Sequence, residues 1–145
     1  MALANEALES AQRSGKSYYE AYARRVLAFC ALERGDVLQA EIQALQALRL
    51  AHAQRDTDAI ALGVELVGLV AGQKGEGVRA ARLLGMVEAM RERIGLAMNP
   101  GWGTAVARML APVHQMLGDE AWALAVAAGH ALGLEEAVAE ALSEE

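Results

Sequence analysis

A chain of 145 residues fits one domain, and at that length roughly 68–70% of the unfolded surface is removed from water. Hydrophobic residues make up 54% but aromatics only 4%, so the core is expected to be Ala, Leu and Val, and the net charge of −6 argues against a nucleic-acid surface, whose footprint is basic. The single cysteine, Cys30, excludes an internal disulfide framework and a paired-thiol zinc site, and a reducing, cytoplasmic setting is the expectation.

Residues 2–13 place Leu3, Ala4, Ala7, Leu8 and Ala11 at the spacing of an amphipathic helix, which Gly15 can end as a left-handed cap. Gly15-Lys16-Ser17 copies the tail of a phosphate-binding loop. The glycine five positions earlier is Ser10 and no strand leads in, so a helix cap is the better reading. Ser17 to Glu20 form a capping box, and the next helix carries Tyr22, Val26, Phe29 and Cys30 before stopping at Gly35. Asp36 caps a helix to about His52 with a small strip (Ala40, Ala44, Ala47, Ala51) and a large one (Leu38, Ile42, Leu45, Leu48), which predicts packing on two faces.

Asp56, Thr57 or Asp58 caps residues 59–71, where Val64, Val67 and Val70 also suit a buried strand. The internal repeat decides for helix, because Val67, Gly68 and Ala71 stand where Leu27, Ala28 and Ala31 stood. After the turn at Gly75, residues 78–94 carry Leu83, Val87, Met90 and Ile94 on one strip and Ala81, Gly85 and Ala89 on a small strip that admits a close neighbour. Residues 95–103, with Asn99-Pro100-Gly101, read as loop. Thr104 then caps a helix to Leu117, with Pro112 inside it expected to kink it or mark a restart. Gly118-Asp119 repeats the Gly35-Asp36 turn, and helices follow over 120–132 and 134–142.

Chemistry-bearing residues are few. His52, His114 and His130 lack a second His or Cys at a ligand spacing, so no metal site or cofactor is expected. Cys30 lies in an apolar strip and no catalytic set emerges. All Lys and Arg lie at or before Arg108, while seven acidic residues follow it, which reads as a solvated acidic face. No apolar run reaches the roughly 20 residues that a spanning helix needs. Glu65, alone among apolar neighbours, is the least explained residue: either it turns to an exposed edge or it meets a partner.

The anchors Ala4, Ala40, Ala80 and Ala123 stand 36, 40 and 43 residues apart. With Leu27-Ala28-x-x-Ala31, Gly35, and Ala40, Ala44, Ala47, then Val67, Gly68, Ala71, Gly75, Ala80, Leu84 and Val87, the pattern resembles the tetratricopeptide repeat in its longer, degenerate form. The stretches from Ala81 and Leu117 look like the MalT-like helical-repeat region of LuxR-type transcriptional regulators and related signalling ATPases. The resemblance implies an all-α superhelical array of antiparallel helical hairpins, about seven to eight helices forming a single domain over residues 1–145. The chain reads as beginning mid-repeat, a piece of a larger regulator, with no ATPase motif and no helix-turn-helix of its own. By the same resemblance, first helices line a concave groove, which would hold Tyr22, Arg25, Phe29, Leu62, Glu65 and Leu69. The implied role is a non-catalytic interaction or sensor domain. Its partners would be a protein or peptide, other domains of the same regulator, or a small-molecule effector; no nucleic acid or membrane is expected. The N-terminal helix, which reads as the second helix of a hairpin whose first is absent, leaves an apolar end through which two copies can pair.

Overall fold

The computed structural model describes residues 2–14 and 17–143, without the side chains of residues 11, 14, 17 and 18. The expected cap at Gly15, the Gly15-Lys16-Ser17 reading and the Ser17 half of the capping box lie outside the described residues. The fold is all-α, and the described residues form eight helices: α1 (Ala2–Ser14), α2 (Ser17–Arg34), α3 (Val37–Ala53), α4 (Thr57–Gln73), α5 (Gly77–Ile94), α6 (Pro100–Leu117), α7 (Asp119–His130) and α8 (Leu134–Leu142). The stretch that also suited a strand is α4.

One turn recurs at Gly35, Arg55, Gly75 and Gly95, 20 residues apart, each with φ between 56° and 83°. At the first three, the next residue returns its amide to an alanine carbonyl, Asp36 to Ala31, Asp56 to Ala51 and Glu76 to Ala71, and so ties off the preceding helix. Asp36 and Asp56 then accept the amides of Gln39 and Ala59 at the starts of α3 and α4. Helix, left-handed residue and acidic cap are thus one repeated device. It was visible at the glycines and hidden at Arg55.

Helix α4 is the axis of the fold. Twelve of its residues are buried, as a helix that is apolar on every side must be. Helices α2, α3, α5, α6 and α8 all pack on it. Its glycines let the neighbours approach, Gly63 facing Leu48 of α3 and Gly72 facing Val113 of α6. Consecutive pairs α2–α3, α3–α4 and α4–α5 pack as an array of hairpins, after which the pattern changes. Helix α7 makes its main interface with α5 rather than with α6. A Cβ added to Gly129 would lie 2.8 Å from the Arg82 carbonyl carbon, and one on Gly85 would lie 2.9 Å from that of Val126, so the two backbones touch. This is the close neighbour that the small strip of α5 admits.

Three expectations are corrected. Helix α6 starts at Pro100, not Thr104: the Asn99 side chain accepts the amides of Gly101 and Trp102, and proline at the first helical position needs no amide partner. Thr104 lies inside the helix and donates its hydroxyl to the Pro100 carbonyl. At the next turn Gly118, not Asp119, occupies the cap, with φ 91° and ψ 154°, and Asp119 is already helical. Finally, the large strip of α3 is packed over only part of its length. The helix does lie between α2 and α4, with its small strip and Leu48 buried and Leu45 against the core, but Leu38 and Ile42 are 68% and 39% exposed.

The acidic end of the chain is not simply solvated. Glu140 pairs with Arg82, Glu135 with His52, and Arg79 and Arg93 donate to carbonyls of Ala141, Ser143 and Leu132. The charge division along the sequence is in part the electrostatic seam along which α8 docks.

Candidate functional site

Two cavities flank the contact between α4 and α6. The first, of about 430 Å³, is lined by Tyr22, Arg25, Val26 and Phe29 of α2, Leu62 and Leu66 of α4, and Asn99 and Trp102 at the start of α6. Four of the six groove residues named from sequence therefore meet in one apolar hollow. Tyr22 is 56% exposed at its rim, with the Arg25 guanidinium 5.8 Å from the ring centroid. Phe29 and Trp102 form the wall, with ring centroids 4.6 Å apart and planes tilted by 47°.

Leu69 and Glu65 are not part of that hollow. Leu69 is buried in the core. Glu65 is 1% exposed, so it neither reaches an outer edge nor faces solvent for a partner. Its Oε1 accepts from Arg91 of α5 at 3.0 Å and from the Trp102 indole N–H. Burial pushes the carboxyl above the ordinary carboxylate value, opposed by the charge of Arg91 and by the two hydrogen bonds. Arg91 shares the burial, and its Nε is the buried polar side-chain atom left without an acceptor among the described residues. A buried donor in that state is costly, so the pair is held by the packing around it rather than by saturated bonding. Glu65 and Arg91 form one wall of the second cavity, of about 300 Å³, whose other walls include Met98, Val106, Leu110, Trp122 and Val126.

Trp102 lines the first cavity with its ring against Phe29, and its N–H reaches Glu65 in the wall of the second. Sequence reasoning missed it because the Asn-Pro-Gly signal placed it in a loop. The only clue was that a tryptophan is a poor loop residue unless its ring has somewhere to go.

The histidines each meet a carboxylate: His52 and Glu135 at 3.0 Å, His114 and Asp119 at 2.9 Å, and His130 and Glu92 at 3.1 Å. His114 also lies flat on Trp122, with centroids 4.7 Å apart and planes 6° apart. Cys30 is half-buried. Among the described residues no helix is long and apolar enough to cross a membrane. Comparison of the chain with protein-family models, curated proteins and solved structures finds no match.

Proposed function

We propose that this chain is a non-catalytic interaction domain that receives an apolar side chain of a protein partner, or of a neighbouring domain of the same regulator, in the hollow between α2, α4 and α6. The observation that carries this reading is the hollow itself: apolar walls from Phe29, Leu62, Leu66 and Trp102, with Tyr22 and Arg25 at the rim. Aromatic and arginine side chains around an apolar socket are the composition of interface hot spots. The repeat grammar of the sequence adds the setting, a helical-repeat region of a cytoplasmic bacterial signalling protein or transcriptional regulator of the LuxR type.

The alternative is a small-molecule effector in the same place. The volume of about 430 Å³ favours it, since ligand pockets run from about 300 to 1,000 Å³.

Panning a displayed random-peptide library on the wild-type chain and on Leu62→Arg, with circular dichroism to establish that the variant folds, tests the reading. Peptides with an aromatic or branched apolar anchor should be enriched on the wild type and lost on the variant. Equal enrichment on both removes the hollow as the docking site. A metabolite that raises the melting temperature of the wild type but not of Leu62→Arg, in a screen where no peptide is enriched, selects the effector alternative.

A further inference from the structure

Among the described residues, one group of three potential metal ligands comes together, Glu88 and Glu92 of α5 with His130 of α7, each offering a ligand atom within 4.8 Å of the others. We propose that these three side chains bind a first-row divalent metal ion of the zinc type, with a water completing the coordination.

The argument begins with the scaffold. Glu88 and Glu92 stand one turn apart and share a face of α5, where like charges at that spacing oppose the helix. A dication between them removes the opposition. His130 reaches that face because Gly85 and Gly129 let α5 and α7 touch backbone to backbone, and Gly129 immediately precedes the histidine. The Arg93 guanidinium donates to the Leu132 carbonyl at 3.1 Å and ties down the chain just beyond it.

The donor chemistry then selects the ion. His130 Nε2 and Glu92 Oε2 are 3.1 Å apart, and two atoms bound at about 2.0–2.2 Å in a tetrahedral arrangement end only slightly farther apart than that. One imidazole nitrogen and two carboxylates suit zinc and its neighbours in the first row. Calcium and magnesium require oxygen throughout. His52 and His114 supply the internal contrast, because each meets one carboxylate and no third ligand joins them.

Isothermal titration of the full chain with zinc chloride, after EDTA treatment and at neutral pH in a non-coordinating buffer, tests the site. The expected result is saturable binding at one ion per chain. His130→Ala and Glu88→Gln should each weaken it at least about tenfold, while His52→Ala and His114→Ala leave it unchanged. Glu88→Gln is the decisive variant, since Glu88 takes no part in the Glu92–His130 ion pair and a merely structural pair would not register its loss. Cobalt(II) as a second probe should give visible absorption that disappears with His130→Ala. Absence of saturable binding up to about 1 mM zinc overturns the proposal. So does a loss smaller than tenfold in either site variant, or an equal loss in His52→Ala.

Discussion

The indole N–H of Trp102 donates to Oε1 of Glu65, a residue 37 positions earlier in the chain and buried at the middle of α4. That bond joins the start of α6 to the axis of the fold, and Arg91 of α5 joins the same oxygen from the other side. Glu65→Ala would leave the Arg91 guanidinium buried without its counter-charge, and should destabilise the chain by about 3–5 kcal/mol. Trp102→Phe keeps the ring against Phe29 and loses only the donor, at about 1–3 kcal/mol. Urea unfolding of both variants and of the double variant measures the coupling; strictly additive losses would mean that the bond contributes nothing.

The same carboxyl sets a pH dependence. Its pKa in the folded chain is raised by burial, so in the window between the ordinary carboxylate value and the raised one the folded state holds a proton that the unfolded state has released. The stability due to this group is fully present below that ordinary value and is lost as pH rises through the folded one. Glu65→Gln removes the titration, and its stability should fall less steeply across that window than that of the wild type. Parallel curves for the two proteins would refute the assignment.

Gly129→Ala should push α5 and α7 apart, because the added methyl would meet the Arg82 carbonyl and not a side chain that can swing away. Overpacking of this kind costs about 1–3 kcal/mol or more. Gly63→Ala, whose methyl would meet Leu48 at 3.2 Å, should cost less. Thermal melts of the two variants rank them, and the reverse order would contradict the backbone contact.

Tyr22 and Leu69 separate the hollow from the core. Tyr22→Ala removes an exposed ring and should change stability by no more than about 0.5 kcal/mol, yet reduce binding of any ligand that the hollow takes. Leu69→Ala opens a cavity in a 2%-exposed core position and should cost about 2–5 kcal/mol. A chemical-denaturation series that found the two variants alike would place them wrongly.

Arg55 adopts the left-handed conformation that glycine takes in the sister turns, with φ 56°. Replacing it with glycine relieves a strain of about 1 kcal/mol, partly offset by the greater freedom of glycine in the unfolded chain. A small rise in melting temperature is expected for Arg55→Gly. A fall would show that the arginine side chain supplies a contact that outweighs the strain.

Much of the architecture was legible because it is written locally. Gly35-Asp36 and Gly75-Glu76 announce a helix end and a helix start within two residues, and the match of Val67, Gly68 and Ala71 to Leu27, Ala28 and Ala31 identified α4 as a helix rather than a strand. The features that escaped are written between distant residues. Glu65 finds Arg91 26 positions away and Trp102 farther still, and no spacing rule connects them. His130 lies 38 positions from Glu92, brought there by the contact of α5 with α7 rather than with the adjacent α6. The start of α6 was misplaced for a different reason. Asn-Pro-Gly suits a turn and a helix start equally well, and only the packing of Trp102 against Phe29 and Glu65 decides between them.

Because α4 is enclosed by helices from both sides of it in the chain, this protein should not unfold in the piecemeal way of an open helical array, where each unit leans only on the next. Arg108 bonds Glu33 across 75 positions and His52 meets Glu135 across 83. Early and late segments thus close over a helix that neither can shield alone. The energetic unit is the whole assembly, and loosening either half should expose α4 and release the other half in a single cooperative step.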